Sequence, residues 1–228
     1  MSLGGLPNIV SSSTLQQREG YPLYGWWSRR LLGWEDKDGN GIISYNADPT
    51  KSEIMVSDTA EYSGRSSPSI ESAFTNSFSM FDGQVRVDAM MDYKGGHLIY
   101  NNTERIRCAS RFNCQALVDP SAPLWKQARA VMVREHPARS VQGFLEKGDY
   151  IKFREVSLTL SPPSGFAGYI LQGKTLTATL AARNLAVLWT NYTGVDPEAF
   201  GGGNGDSTSE FQSFGPRTFF TLRLSLGF

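Results

Sequence analysis

The sequence predicts an all-β fold, and three observations carry that prediction. The stretch TFFTLRLSLGF (residues 218–228) alternates apolar and polar residues with a period of two, the pattern of a strand with one apolar and one polar face. Aromatic residues make up 12% of the chain, and there are 23 glycines, a composition that favours strands and turns over helices. The pair Asp82-Gly83, a signal for a tight hairpin turn, separates two further alternating stretches.

The alternating stretches predict five antiparallel strands with the dimensions of membrane strands. Eleven residues that rise about 3.3 Å each span roughly 36 Å. A tilt of about 45° reduces that length to roughly 25 Å, the height of the apolar band of an outer-membrane barrel. We expect Leu222, Leu224 and Leu226 to face lipid, and the residues between them, such as Arg223, to face the lumen. The strands are predicted at about residues 69–81, 84–99, 149–160, 174–184 and 217–228.

The connections between these strands alternate between short and long. Short turns join the strands at one end, and long loops over residues 101–148 and 185–216 join them at the other, which is typical of an outer-membrane β-barrel. Residues 21–34 are a candidate sixth strand, and residues 124–135 have the spacing of a short helix that packs on its own loop. A soluble β-sandwich also alternates, so periodicity alone leaves both architectures open.

Net charge and the distribution of apolar residues exclude some classes of function. Lys plus Arg and Asp plus Glu each number 22, so the formal net charge is zero and there is no general electrostatic case for a nucleic-acid partner. No stretch approaches the roughly 18 apolar residues of a membrane helix. We expect residues 1–19 to be a leader or a flexible start, and residues 20–228 to form the folded portion.

Three stretches together resemble the C-terminal part of the SusC/RagA-type TonB-linked outer-membrane proteins, which are TonB-dependent receptors. The run RNLAVLWTNYTGVDPEAF, residues 183–200, is the most specific, and the family's Asp-x-Asp-Gly-Asn-Gly hairpin matches residues 36–41. The resemblance covers the chain from about residue 20 to its end. The other two stretches are FLEKGDYIKFREVSLTLSPP, residues 144–163, and PRTFFTLRLSLGF, residues 216–228.

The resemblance implies a large barrel of about 22 strands with a plugged lumen. It also implies a place in the outer membrane, in contact with its lipid, and import of bulky nutrients such as oligosaccharides or peptides. The implied partners are a SusD-like surface lipoprotein and the TonB complex, and Phe228 would be the terminal aromatic recognised by the barrel-assembly machinery. Because the plug, the TonB-contacting segment and most strands are missing, the chain is expected to be a C-terminal fragment.

The stretch GWEDKDGNGIIS, residues 33–44, has part of the spacing of a calcium-binding EF-hand loop. Asp36, Asp38 and Asn40 take the first three ligand positions. Ala47 stands where the bidentate Glu is needed, so a calcium site requires Asp48 or another loop to supply that carboxylate. An Asp/Asn/Gly-rich turn is the favoured interpretation. No cofactor is expected to be required, and calcium stays an open expectation.

The remaining candidates are aromatic residues, histidines and cysteines. Trp125, Trp189 and Tyr192 are candidate substrate-binding residues, with packing of strand ends as the alternative, and Trp189 also suits a membrane-interface girdle. His97 and His136 lack partners at metal or catalytic spacing, which predicts solvated loop histidines and no enzyme activity. Cys108 and Cys114 permit either a disulfide or two free thiols. The rival overall function is a soluble β-sandwich that binds carbohydrate and has a weak calcium loop.

Overall fold

The computed structural model describes residues 9–10, 14–163, 165, 169, 175–200 and 209–227. The role expected for Phe228 falls outside these residues. In the part of the chain expected to be a flexible start, β1 (Ile9–Val10) pairs with β2 (Leu15–Gln17), and Leu15 is buried in a core. The expectation of a flexible start is therefore wrong for Leu15–Gln17.

The described residues form strands with a few short helices. The further strands are β3 (Gly25–Ser28), β4 (Leu31–Trp34), β5 (Ile54–Val56), β6 (Glu61–Arg65), β7 (Ile70–Met80), β8 (Val85–Gly95), β9 (Leu98–Asn101), β10 (Leu145–Lys147), β11 (Tyr150–Leu160), β12 (Thr175–Thr190), β13 (Ser209–Glu210) and β14 (Phe219–Gly227). The helices are α1 (Asn102–Ile106), a π-helical turn (Arg107–Arg111), α2 (Gln115–Val118), α3 (Leu124–Arg134) and a 3₁₀ turn (Gln142–Phe144). No helix among the described residues is long and apolar enough to cross a membrane.

The long strands form one antiparallel sheet of five strands, in the order β14-β12-β11-β8-β7. The all-β fold and its antiparallel pairing are thus confirmed. The turn between β7 and β8 spans residues 81–84, where Phe81, Asp82 and Gly83 all have positive φ angles. The connections at the opposite end are long, over residues 96–149 and 191–218. Strands β7 and β14 form the two edges, and neither pairs with a further strand in the described part of the chain.

Two predicted strand boundaries are wrong, and each has a local cause. The strand predicted over 84–99 ends at Gly95, because Gly96 has a φ of 74° and turns the chain into β9, which joins another sheet. The strand predicted over 174–184 continues to Thr190, so the second long loop begins at residue 191 and not at 185. A bulge at Asn184, which has a φ of 52°, shifts the alternation by one residue. The second half of the strand therefore does not continue the period-two pattern of the first half.

The register sorts apolar and polar residues onto opposite faces of this sheet. One row across all five strands is Phe78, Val87, Leu158, Leu180 and Leu222. The neighbouring row, on the other face, is Ser77, Asp88, Ser157, Ala181 and Thr221.

The apolar face of the sheet is uncovered. The side chains of Leu222, Leu224 and Leu226 are 67%, 64% and 45% exposed, and Phe74 and Phe78 on β7 are also exposed. A β-sandwich buries its apolar rows against a second layer. The rival architecture therefore does not describe this sheet.

The buried core lies elsewhere, in what we call the loop region, residues 14–69, 96–149, 191–200 and 209–218. Trp26 is 1% exposed there, and its Nε1 donates to the carbonyl of Leu98 at 3.0 Å. The proposed sixth strand is wrong, because residues 21–34 form the short β3 and β4 in separate small sheets. The predicted helix is confirmed as α3, whose Ala128 and Val131 pack on the loop region's own core.

Candidate functional site

A cavity of about 970 Å³ opens between the two long connections of the loop region. Helix α3 and the π-helical turn supply one wall, and the segment after β12 supplies another. We call residues 191–200, which follow β12, the strap. Trp125 lies in the cavity wall with 45% of its side chain exposed, and Thr193 and Val195 of the strap lie across from the helices. The cavity thus joins parts of the chain that are distant in sequence.

The three predicted substrate-binding aromatics occupy different places. Trp125 lines the cavity. Tyr192 is buried, and its hydroxyl donates to Glu210 Oε2 at 2.9 Å, so it supports the wall from behind. Trp189 lies at the loop end of β12 and pairs with Ile151, on the apolar face of the sheet. That place suits an interfacial aromatic, and Trp189 does not contribute to the lining of the cavity.

Two carboxylates, the partly buried Glu146 and the buried Glu210, hold the strap against the rest of the loop region. Glu146 accepts from the backbone N and Oγ1 of Thr193, at 3.0 and 2.6 Å, and from Asn101 Nδ2 at 3.3 Å. Glu210 accepts from Tyr192 and, at 2.6 Å, from Thr103 Oγ1. Burial, followed by the nearby charge of Glu210, raises the pKa of Tyr192 and keeps its hydroxyl a donor. The acidic groups of this wall therefore have hydrogen-bond partners within the protein.

The Asp-Pro-Glu part of the strap folds back onto the end of the sheet. Lys152 Nζ donates to both Asp196 Oδ1 and Glu198 Oε2 at 2.9 Å, and Arg154 forks onto Glu198 while also contacting Asp92 at 2.7 Å. Burial works against the charge of Glu198. Hydrogen bonds from Arg154, and then from Tyr150 and Lys152, nevertheless lower the pKa of Glu198 to about 2. The most specific run of the resemblance is thus the segment that anchors the strap to the sheet.

The candidate calcium loop closes on itself with help from a residue that the sequence pattern missed. Asp36 accepts from the backbone N of Gly41 at 2.8 Å, and Asp38 accepts from that of Asn40 at 3.0 Å. A carboxylate oxygen of Glu53 lies within 4.8 Å of carboxylate oxygens of Asp36 and Asp38. Glu53 comes from the residues just before β5, outside the loop's own spacing, so no EF-hand pattern includes it.

The hydrogen bonds at this loop compete with a metal for the same oxygens. Glu53 accepts from the backbone N and Oγ of Ser44 and from the backbone N of Lys37. Although burial opposes it, these bonds lower the pKa of Glu53, the side chain of Ser44 contributing most. Asp48, the alternative ligand, instead accepts from Thr50. Three carboxylates and an Asn suit calcium chemically, and the loop is also stable as an Asx-type turn.

His97 is more buried than the sequence predicts, and the two cysteines are paired. His97 is 6% exposed, and burial lowers its pKa, so the prediction of a solvated histidine is wrong for this residue. The Nδ1 of His136 accepts from the backbone N of Ala138. Cys108 and Cys114 form a disulfide inside the core that also contains Phe144, which decides between the two alternatives that the sequence left open.

Comparisons with known proteins identify the fold of this chain through solved structures, and they find no match by sequence family or among curated proteins. No protein-family model matches the sequence, and no curated protein matches it either. Solved structures do match, at low sequence identity. A chain in the structure of the RagAB peptide importer in its closed-closed state aligns with a TM-score of 0.66 at 16% identity, over 98% of this chain and 25% of that chain.

Two further structures of the same system agree. The RagAB peptide transporter gives a TM-score of 0.65 at 16% identity over 97% of this chain and 25% of that chain. The importer in its open-open state gives 0.61 at 17% identity over 98% of this chain and 24% of that chain. The five-stranded sheet is therefore an antiparallel fragment of a large barrel. The fold expected from the SusC/RagA-type resemblance is confirmed, and this chain spans about a quarter of the length of those chains.

Proposed function

We propose that this chain is the C-terminal barrel segment of a TonB-dependent outer-membrane transporter that imports bulky nutrients. The observation that carries the proposal is the uncovered apolar face of the five-stranded sheet, in which Phe78, Leu158 and Leu222 continue one row. Placing that face against water would leave a large apolar surface exposed, whereas lipid removes the penalty. The fold shared with the RagAB chains supports the same conclusion.

The two sheet edges also fit a piece of a larger wall. Strands β7 and β14 present unpaired backbone groups within the described residues, and such edges are stable in a membrane only when neighbouring strands complete the ring. We infer that the remaining strands, the plug and the TonB-contacting segment belong to the same transporter outside this chain. Because the RagAB structures are of importers, we expect no enzymatic activity.

The loop region is the part that would meet substrate and a SusD-like surface lipoprotein. Its cavity is lined by Trp125 together with charged and amide side chains, which suits a polar, hydrogen-bonding nutrient. A peptide or an oligosaccharide meets that description. Calcium at Asp36, Asp38 and Glu53 would stiffen one loop of this region without taking part in transport.

Thiol labelling in intact cells tests the proposed orientation. Both native cysteines are in the disulfide, so an introduced cysteine provides a free thiol in this chain. The full-length natural polypeptide would carry either Lys51→Cys, in the loop region, or Asp82→Cys, in the short turn; both positions are exposed. We expect a membrane-impermeant maleimide to label Lys51→Cys in intact cells and Asp82→Cys only after the outer membrane is permeabilised.

The same experiment separates the rival function. A soluble binding module would be labelled equally at both positions and would be recovered without detergent, and that result would overturn the transporter proposal. Uptake of a fluorescent peptide mixture by cells expressing the polypeptide, compared with cells lacking it, then tests import itself.

A further inference from the structure

The lining of the cavity carries more positive than negative charge. Four basic and three acidic side chains face it or support its wall. The difference matters because the acidic groups already have partners inside the protein. The basic residues are Arg107, Lys126, Arg129 and Lys147, and the acidic residues are Glu104, Glu146 and Glu210.

Each acidic side chain of the lining is engaged. Glu104 accepts from Arg107 Nη1 at 2.9 Å. Glu146 accepts from Thr193 and Asn101, and Glu210 accepts from two hydroxyl groups, as described above. A cationic ligand would have to displace these bonds, which makes it a poor fit to the cavity.

Two lysines of the lining have no acidic partner within the described ranges. Lys126 Nζ donates to the neutral Oε1 of Gln115 at 3.0 Å and lies 5.7 Å from the centroid of the Trp125 ring. Lys147 is exposed at the end of β10, on the same cavity. Both ammonium groups are therefore available to a ligand.

Arg129 adds a third, partly compensated positive charge beneath Trp125. Its nearest acidic atom is Glu146 Oε1 at 3.6 Å, beyond hydrogen-bond length, and its Nε has no acceptor among the described residues. Its guanidinium carbon lies 5.2 Å from the centroid of the Trp125 ring and 4.9 Å from that of Phe144. These ring contacts fix the charge in place, and the exposed part of Trp125 offers a flat apolar surface next to it.

We infer that this cavity is a subsite for a carboxylate-bearing ligand, which Lys126 and Lys147 bind through its carboxylate while Trp125 packs against an adjacent apolar or planar group. The inference rests on the proposed function and specifies the substrate class of that transporter. Acidic peptides and uronic-acid oligosaccharides share this chemistry, and the experiment below distinguishes them.

Binding by the purified full-length natural polypeptide tests the subsite. Isothermal titration would use a short Glu- and Phe-containing peptide against its Gln analogue, and tri-galacturonate against its methyl ester. We expect one acidic probe to bind more tightly than its neutral analogue. The double variant Lys126→Gln/Lys147→Gln is expected to weaken binding of that acidic probe about tenfold while changing binding of the neutral analogue less than about twofold. Trp125→Ala is expected to weaken binding of both members of the pair.

Matched controls make each outcome decisive. Lys51→Gln removes an exposed lysine that does not line the cavity and should leave binding unchanged. A charge preference in the peptide pair or in the saccharide pair supports the subsite and identifies its source. Equal affinity for acidic and neutral probes, or an equal effect of the double variant on both, would overturn it. Because the labelling experiment reads orientation and not affinity, the subsite can fail while the transporter assignment stands.

Discussion

The two regions of this molecule, the five-stranded sheet and the loop region, place their apolar residues in opposite ways. In the five-stranded sheet, Leu222 and Leu224 are mostly exposed, and polar residues such as Arg223 are exposed on the other face. In the loop region, Trp26 and Phe144 are almost fully buried around a disulfide. Both regions belong to the same chain, and both contain many apolar residues. The difference lies in how the apolar residues are spaced and in what covers them.

Under the proposed function, that difference reflects the surroundings of each half. A protein half surrounded by water closes an apolar core, and the loop region does so. Under the proposed function the sheet needs no core of its own, because its apolar rows are covered by lipid and its polar rows face an interior completed by other parts of the barrel. Charged pairs follow the same division. Arg183 and Glu155 on the sheet are partly exposed, whereas Arg154 and Glu198 beneath the strap are largely buried.

The largest effect is expected where charge is placed on the apolar face. The double variant Leu222→Arg/Leu224→Arg should prevent folding of the full-length polypeptide in vesicles. Each buried arginine costs about 2–4 kcal/mol near the middle of a bilayer. The fraction of heat-modifiable, folded barrel on a gel without boiling measures the loss.

A control on the opposite face introduces the same two arginines into the same strand. Thr221→Arg/Ser225→Arg places the same charges beside Arg223 and should leave most of the protein folded. If both double variants lose the folded form to the same extent, the two faces are equivalent and the comparison between sheet and loop region fails.

The next effect concerns the anchor between the two halves. Glu198→Ala leaves Arg154 and Lys152 beneath the strap with fewer acidic partners, and removing one member of a buried charged network typically costs about 3 kcal/mol or more. We expect amide hydrogen exchange in residues 191–200 to increase correspondingly. Glu155→Ala, which breaks the more exposed pair with Arg183, should cost about 1 kcal/mol or less. Equal costs would mean that burial does not distinguish the two pairs.

The same anchor predicts a pH dependence with a definite sign. The folded-state pKa of Glu198 is about 2, below its ordinary value of 4.5. Its contribution to stability is therefore present above about pH 4.5 and is lost as the pH falls toward 2. Proteolysis of the strap by an acid-active protease should accelerate over that interval in the wild type. In Glu198→Ala the strap should be cleaved quickly throughout, and a wild-type strap that stays resistant at pH 2 would contradict the assignment.

The sheet was predictable from the sequence because the alternation of apolar and polar residues that specifies a strand is a local pattern. Alternation along residues 70–80 or 219–227 fixes both the strand and the face of each residue. Prediction failed at Asn184 and Gly96, where one residue with positive φ changes the register or the direction of the chain. Such positions are set by the partner strand and not by the pattern around them.

The loop region and its cavity were mostly beyond sequence reasoning. Trp125 was a candidate because an aromatic side chain suits packing against a substrate. Lys126 and Lys147 gain meaning only because neither has an acidic partner among the residues that the structure describes. Glu53 completes the carboxylate cluster from 15 residues beyond Asp38, so no spacing rule includes it. His97 is buried, and the chain at residue 148 lies against its ring, a contact that a sequence pattern cannot show.

The smallest effect is expected at that carboxylate cluster, inside the loop region. Glu53→Gln replaces an acceptor of three hydrogen bonds from Ser44 and Lys37, and should lower the free energy of unfolding of this region by about 1 kcal/mol. Asp48→Asn, at an exposed turn outside the cluster, serves as the matched control and should change it less.

The effect of calcium on the free energy of unfolding tests whether the carboxylate cluster binds a metal ion. Because the carboxylates already accept backbone N–H groups, we expect a weak site, in which millimolar calcium raises the free energy of unfolding of the wild type by about 1 kcal/mol or less. The increase should vanish in Glu53→Gln and persist in Asp48→Asn, with magnesium as the ionic-strength control. A calcium effect of the same size in Glu53→Gln would exclude Glu53 as a ligand. No calcium effect in the wild type would leave the stretch as a turn stabilised by the hydrogen bonds of Asp36 and Glu53. Because this loop belongs to the water-facing half, neither result should change the folded yield of the sheet.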